Sequence, residues 1–501
     1  MSQAYTTHDE WEEFSGAFEQ FSAVVAHLRS EQAQPLDHGH IEQFLEKAGR
    51  ELLRRLLQGH LDYRATHETA WASLEGSDGI IRRQHREGCE THLATLFGEV
   101  IVRRRASSAP GVASLFALDA ALNLPPDKYS DGLRRRLAQE VAVMSFAEAV
   151  ERIAHTTGGR IPKRQSEEVV VKVAQDFEAF YAMRHPQGNE AQEELLVLTT
   201  DGKGIVMRHE DLREATRKAA ARARTKRKPR VSPGVKRQRK RMATVASVYT
   251  VAPYARRPEA VMSPEEKPRP RPTVHHKRVW ASVKREADAV IDDLFQEALR
   301  RDPAQHRAWV VLVDGEPHQL ARIHAAAARY QVSVTIVMDF MHVLEYLWEA
   351  AHSLAPDNAH TAEMWVRERA LKVLQGHARE VAAGMRRSAT VRALSATQRK
   401  AVDTCADYLL NRQSYLRYDG FLAQGFPIAT GVIEGACRHL IKDRMDLTGA
   451  RWRLQSAEAV LKLRSLRSSS DFEAYWQFHK QQELQRNHLS RYADGLFLDA
   501  A

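Results

Sequence analysis

Three short runs of consecutive apolar residues mark the middle of the chain: "LLVLTTDG" (Leu195–Gly202), "VVLVDG" (Val310–Gly315) and "VTIVMD" (Val334–Asp339). Runs of this length, rich in β-branched side chains and apolar without alternation, predict strands buried on both faces. "MATVASVYTV" (Met242–Val251) predicts another strand. Around them the hydrophobic period changes to three and four residues. "VWASVKREADAVIDDLFQEAL" (Val279–Leu299) and "QLARIHAAAARY" (Gln319–Tyr330) predict helices, and residues 350–425 carry no strand pattern. The element order β-β-(β)-α-β-α-β, about five strands, predicts a layered α/β fold with a mixed sheet and one antiparallel hairpin. An all-α block interrupts it before its last helix. Within "LLVLTTDGKGIVM" (Leu195–Met207) an Asp-Gly turn signal separates two strand-like stretches.

The N-terminal part reads differently. Residues 1 to about 90 predict helices, as in "IEQFLEKAGRELLRRLL" (Ile41–Leu57), and "TLFGEVIVRRR" (Thr95–Arg105) predicts a short β-ribbon ending in three arginines. In Ser145–Ala174, Ser145 and Glu148 form a capping box, and Ala149, Val150, Ile153 and Ala154 make an apolar stripe. Gly158-Gly159 ends that helix, and Pro162 suits the first turn of the next, whose buried side is Val169, Val170 and Val173. Arg160, Lys163 and Arg164 stand at its start. The pattern fits a helix-turn-helix at 145–174 and equally an ordinary helical hairpin. The predicted organisation is a helical region at 1–90, a DNA-binding region at 91–190, a core at 191–345 and 426–470 split by a helical insertion at 346–425, and a helical tail at 471–501.

Composition adds three constraints. The chain has 501 residues, too many for one core, with three widely spaced cysteines and no apolar run of about 18 residues. That excludes a disulfide scaffold and a zinc ribbon, and it predicts a chain without a membrane span, residing in a reducing cytoplasm. Between Arg213 and Arg241 fourteen lysines and arginines face one glutamate, a net +13, which leaves the rest of the chain at −3 of the total +10. So dense a segment predicts contact with a polyanion, nucleic acid foremost, the alternative being a solvated loop. Its candidate contacts are Arg222, Arg224, Lys226, Arg227, Lys228, Arg237, Arg239, Lys240 and Arg241.

A buried strand that runs into a carboxylate is costly unless the charge has a partner. Convergence of such ends on a hard divalent cation supplies one, because Mg²⁺ takes oxygen ligands. Asp201 and Asp314 are the candidates on strands. On a helix the candidate is Glu434, in "TGVIEGACRHLIKDRM" (Thr430–Met445), whose apolar side is Ile433, Ala436, Cys437, Leu440 and Ile441. Glu434, Arg438 and Lys442 recur every four residues beside it, either as surface ion pairs or as a metal ligand with two phosphate contacts. Two Mg²⁺ ions, with Mn²⁺ able to substitute, held by Asp201, Asp314 and Glu434 would suit phosphodiester chemistry. Each Asp-Gly taken alone reads first as a common turn. An aspartyl phosphatase is disfavoured, because Lys203 and Glu316 stand where it would need a second Asp. Asp339 and His342 are candidates for a supporting role, Asp339 also as a helix N-cap. In "GARWRL" (Gly449–Leu454), Arg451 and Trp452 are candidates for base contact, with a core tryptophan as the alternative.

These residues also carry a resemblance. "TTDGKGI", "KRMATVASVY", "VLVDGEP", "MDFMHVLEYLW" and "GVIEGACRHLIKDRMDLTGARW", with "THLATLFGEVIVRRR", "ALDAALNLPPDKYS" and "DFEAFY" before them, resemble insertion-sequence transposases of the ISKra type, distant kin of Mutator-like transposases. The resemblance runs from about residue 80 to 470. It implies an RNase H-like core with a DDE triad, matched by Asp201, Asp314 and Glu434, and an Asp-x-x-His element matched by Asp339 and His342. It implies cleavage of element ends and strand transfer into target DNA by a homo-oligomer bound to double-stranded terminal inverted repeats, in a bacterial cytoplasm next to the nucleoid. The rival expectations are a structure-selective RNase H-like nuclease and a non-catalytic, domesticated DNA-binding regulator.

Overall fold

The computed structural model describes residues 11–184, 194–222, 239–262, 270–354, 359–447 and 449–493. The strands among the described residues are β1 (Leu74–Glu75), β2 (Ile81–Arg82), β3 (Gln84–Ala94), β4 (Glu99–Ser108), β5 (Leu115–Phe116), β6 (Leu195–Val206), β7 (Lys240–Val251), β8 (His275–Ser282), β9 (Trp309–Val313) and β10 (Thr335–Met338). The chain divides into two compact units, residues 1–183 with 471–501, and residues 184–470.

In the second unit the three apolar runs become neighbouring strands of one five-stranded mixed sheet, ordered β10-β9-β6-β7-β8. β6, β7 and β8 are antiparallel, while β9 and β10 add in parallel beside β6. All five residues of β9 are buried, as an unalternated apolar strand requires when helices cover both faces. The helix Ala287–Arg301 packs on β6 and β7 through Val290, Ile291, Leu294, Phe295 and Ala298, and Leu454–Ser468 packs on β8. Helices Phe340–Leu354, Ala359–Leu374, Ala378–Val391, Ala396–Asn411 and Tyr418–Ala423 fill the chain between β10 and the Glu434 segment. The α/β class and the all-α block follow the hydrophobic pattern.

Two local expectations are corrected. Val279–Ser282, assigned to the head of a long helix, belongs to β8, and the helix starts only at Ala287. Trp280 and Val279 are buried on the sheet, and the Lys284-Arg285-Glu286 turn separates the elements. The Asp-Gly at 201–202 is not a turn: β6 continues through it for 12 residues, paired to β7 from Leu195↔Val251 to Val206↔Lys240. The reversal comes after Met207, so the basic segment leaves the ribbon five residues, about 17 Å of strand, beyond Asp201.

The first unit opens with an antiparallel helix pair, Ser15–Leu28 and His38–Thr66, followed by the β3-β4-β5 sheet. β3 starts at Gln84, so the strand pattern begins before the boundary set at residue 90. Arg103, Arg104 and Arg105 at the end of the ribbon are paired with Asp62, Asp119 and Glu87 and tie β4 to its neighbours. Helices Asp131–Val141, Phe146–Thr156 and Lys163–Val173 pack on one another, and the Ser145/Glu148 capping box is formed. The stripe of the second helix is Phe146, Ala149 and Ile153; Ala154, placed in it by spacing, is exposed. Gly158 closes the turn against the ribbon: its N–H donates to Leu96 O, and a Cβ there would lie 2.3 Å from the Phe97 carbonyl. The described part of the predicted tail, residues 471–493, belongs to this unit. Helix Phe472–Asn487 inserts into this unit, with the buried Arg134–Glu483 pair and His479 Nδ1 at 2.6 Å from Asp176.

Candidate functional site

The sheet register aligns the acids. β6 and β9 pair in parallel up to Thr199↔Leu312, so Asp201 and Asp314 each lie two residues beyond the same pair, on the same side of adjacent strands. β9 and β10 pair up to Val313↔Met338, which sets Asp339 beside Asp314. Three aspartates thus stand at the carboxyl edge of three parallel strands. That is the edge where open α/β sheets bind ligands.

The register has chemical consequences. The Asp314 carboxyl is pushed above the ordinary carboxylate range, first by burial and also by the negative charge of Asp201, while His342 acts in the opposite direction. Among the described residues, none of Asp201, Asp314, Asp339 and Glu434 enters an ion pair. Asp201 Oδ1 accepts from Gly202 N at 2.6 Å, and its Oδ2 accepts from the Cys437 thiol at 3.1 Å. Burial, then the Asp201 charge, push that thiol far up, so it stays protonated as a donor.

Cys437 also locates the glutamate. The segment Gly431–Ala436 packs on β6 and β7, one turn before Cys437, and Glu434 adds to the negative charge around the thiol. The predicted apolar side is buried as expected. Glu434, Arg438 and Lys442 are all exposed beside it, with Cys437–Lys442 in a π-helical turn and Arg438 Nε 3.7 Å from Asp443.

Asp339 is not at the open surface. It is 4% exposed, accepts from Thr430 Oγ1 at 2.5 Å, Thr430 N at 3.3 Å and Met341 N at 3.1 Å, and so joins β10 to the residue preceding the Glu434 helix. Thr430 Oγ1 is also 3.4 Å from Glu434 Oε1. His342 Nδ1 contacts Glu345 at 3.0 Å, and its ring lies edge-on to Tyr346 and Tyr408.

The residues not anticipated come mostly from the helical block. Tyr408 OH donates to Asp314 O at 3.1 Å, and the Arg412 guanidinium grips Gly315 O at 2.7 and 3.0 Å. Gly315 adopts φ +89°, and a Cβ would sit 2.6 Å from Met338 Sδ. Gln319 Nε2 donates to Thr200 O at 2.8 Å, holding β6 to the helix after Asp314. Tyr408 in helix Ala396–Asn411 and Arg412 capping its end stand four apart, but only tertiary structure shows that they face the Asp314 turn.

Of the DNA candidates, Arg160, Lys163 and Arg164 are exposed at the start of the second helix of the hairpin. Arg222 ends helix Glu214–Arg222, and Arg239 and Lys240 lie half-buried where β7 begins. Arg224, Lys226, Arg227, Lys228 and Arg237 lie outside the described residues. Two candidates are corrected. Arg241 donates to Val283 O, Lys284 O and Asp211 O, which engages its guanidinium within the fold. Trp452 is buried: its indole donates to Met445 O at 3.0 Å and Arg444 covers the ring, so it holds the chain to β6 rather than offering a face to a base. Arg451 is exposed.

The donors present fit a hard cation: carboxylate oxygens from three elements, two of them coupled by repulsion, with the soft thiol kept protonated. In this arrangement no three His, Cys, Asp or Glu among the described residues close to ligating distance of one another. The same opposition of charge gives a pH prediction. A carboxyl raised in the folded state contributes stability that is whole below its unfolded pKa, about 3.9, and lost as pH rises through the folded value. Asp314→Asn, which keeps an acceptor for Glu316 N, should therefore raise the melting temperature in chelator at pH 7, with the gain vanishing below about pH 4. Mg²⁺ should stabilise the parent, by about 2.7 kcal/mol at a hundred times its Kd, and leave the variant unmoved. A variant that melts below the parent in chelator at pH 7 would contradict the repulsion.

Comparison with family models and with curated proteins found no match. Among the described residues no helix is long and apolar enough to cross a membrane.

Proposed function

We propose that this chain is a DNA transposase whose second unit is an RNase H-like catalytic core with a DDE triad of Asp201, Asp314 and Glu434. The observation that carries the reading is the register: two aspartates in line on adjacent parallel strands, with the Glu434 helix tied to the first through Cys437. The mixed five-stranded sheet and the helical block between Asp314 and Glu434 support it. So does the match of these acids to the resemblance carried by their flanking motifs.

In this reading Asp201, Asp314 and Glu434 would hold two Mg²⁺ or Mn²⁺ ions. When bound, such ions supply Lewis acidity and charge neutralisation for in-line attack on a phosphodiester. The protein's own part is positioning. Tyr408 and Arg412 fix the backbone on either side of the Asp314–Gly315 peptide. Asp339 and Thr430 fix the start of the Glu434 helix, and Cys437 orients Asp201. Exposed Lys203, two residues past Asp201 on the same side of β6, is placed to meet a phosphate. The β6-β7 ribbon leads to the basic segment, and Arg160, Lys163 and Arg164 of the first unit are available for duplex DNA.

The test is incubation of the full chain with Mg²⁺ and DNA carrying the inverted repeats that flank its gene. Cleavage at the repeat ends with joining of the freed 3′-hydroxyl to a second duplex is expected. Cleavage without joining would favour a nuclease, and metal-independent binding without cleavage a regulator. Replacing Arg224, Lys226, Arg227 and Lys228 by Gln should weaken binding to all duplexes alike. It should also lower the slope of log K against log salt by up to about 3.5, at 0.9 per phosphate contact. Anisotropy titrations at several salt concentrations measure it, and an unchanged slope would remove the segment from the interface.

A further inference from the structure

Beyond Asp201 the β6-β7 ribbon gains a third extended segment. Trp452 N donates to Val206 O at 3.1 Å, Arg208 N donates to Trp452 O at 2.8 Å, and Met207 N donates to Arg239 O at 2.9 Å. Residues 451–453 therefore run parallel beside 206–208, with the start of β7 on the other side. Met207 and Trp452 are partners across this bridge, and both are buried. Alternation turns Arg208, Arg451 and Arg453 to the opposite side of the ribbon. Lys240, paired with Val206, joins them there: a Cβ built on Gly204 would lie 2.8 Å from Lys240 Cδ, so the lysine stem crosses β6 on that side. Asp201 and Lys203 share the alternation of Met207, so the four cations point away from the carboxylates. Arg451 and Arg453 are exposed, and Arg208 and Lys240 are half-buried. Among the described residues none of the four forms an ion pair. Neighbouring segments about 4.8 Å apart anchor the four side chains on a strip roughly 10 Å wide. Charges of one sign held so close repel one another and attract a polyanion.

We propose that this strip is a second duplex-binding site, which grips the sugar-phosphate backbone of the DNA that receives the freed end. The proposal rests on the transposase reading and gives that reaction's second substrate a place. Joining needs two duplexes, and the carboxylate edge holds only the phosphodiester that reacts. The strip lies five to seven residues beyond Asp201, about 17–23 Å of strand, and on the reverse face. A duplex arm leading away from the carboxylates reaches it; the reacting phosphodiester does not. Its chemistry is that of backbone contact. Arginine and lysine donate to phosphate oxygens, which position a duplex without reading it. Met242, 53% exposed and lying over Gly202, adds an apolar contact for deoxyribose. Residues 204–208, 239–242 and 451–453 include no acid, asparagine or glutamine. That suits a receiving duplex, of which the chemistry demands no particular sequence, better than a repeat end, which has to be told apart from other DNA.

The test compares the full-length parent with Arg208→Gln/Arg453→Gln, which leaves residues 213–241 and the three acids unchanged. In Mg²⁺, joining of a pre-cut repeat end to a second duplex is expected to fall about tenfold or more, while cleavage of an uncut repeat end stays within about threefold of the parent. In chelator, anisotropy titration of a duplex of about 20 base pairs without the repeat should show the slope of log K against log salt lowered by up to about 1.8, at 0.9 per phosphate contact. An unchanged melting temperature is the control for folding. Equal losses of cleavage and joining overturn the proposal, because the strip would then hold the element end. An unchanged salt slope overturns it as well. A parent that binds DNA but neither cleaves nor joins sinks the transposase reading instead, and the slope then still decides whether the strip holds duplex.

Discussion

Asp201→Asn, Asp314→Asn and Glu434→Gln are each expected to lower Mg²⁺-dependent cleavage of repeat-end DNA by about 10³-fold or more. Binding to the same DNA should stay within about threefold of the parent, since none of the three contacts the basic segment in sequence. The size of the loss follows from the role of the acids as a unit. On the proposed reading, removing one would leave the other two unable to hold both ions, so a double or triple variant should be no slower than a single one. Each substitution is nearly isosteric. Asn at 201 keeps one oxygen for Gly202 N at the cost of the Cys437 thiol bond, and Asn at 314 keeps one for Glu316 N, so most of the local hydrogen bonding survives. Single-turnover cleavage with thermal melting as the control measures the effect. A variant retaining parental rates would remove that residue from the triad. If all three did, the transposase reading would fail with them.

Much of this architecture was visible in the chain because its strongest signals are local. Unbroken β-branched runs specify β6, β9 and β10, and the apolar side of the Glu434 segment is buried as its spacing predicts. What escaped the pattern depends on partners far away in sequence. Asp-Gly at 201 reads as a turn, yet β7 pairs straight through it, and a long partner strand outweighs a two-residue preference. Val279–Ser282 has β propensity, but the longer helix behind it dominates the window. The acids that pair with the three arginines at 103–105 come from other elements, and spacing along the chain does not reveal them. Arg241 and Trp452 carry nucleic-acid-like chemistry in the sequence and are engaged by carbonyls and core. The π turn at Cys437–Lys442 leaves no trace in hydrophobic spacing.

Asp339 permits a sharper separation of roles, and its two substitutions are expected to behave differently. If Asp339 were a metal ligand, Asn would disable it almost as fully as at Asp201 or Asp314. The structure instead gives it three protein donors: Thr430 Oγ1, Thr430 N and Met341 N. An Asn side chain keeps one oxygen for them, so Asp339→Asn should retain Mg²⁺ affinity and cleave within about tenfold of the parent, the loss of a single charge-assisted hydrogen bond. Asp339→Ala strands the donors in a buried site, at about 1–3 kcal/mol for each group left unsatisfied. It also frees the Thr430 hydroxyl to turn to Glu434 Oε1, now 3.4 Å away, and so displaces the start of the glutamate helix. A displacement of about 1 Å there can cost on the order of 10²-fold in rate. Asp339→Ala should therefore lose about 10²-fold in turnover with a lowered melting temperature, and Thr430→Val should reproduce most of the rate defect because it cuts the same link. Calorimetric Mg²⁺ titration beside single-turnover rates separates the cases. Equal loss of metal binding in Asp339→Asn and Asp314→Asn would make Asp339 a fourth ligand, and the staple between β10 and the Glu434 helix would no longer account for its burial.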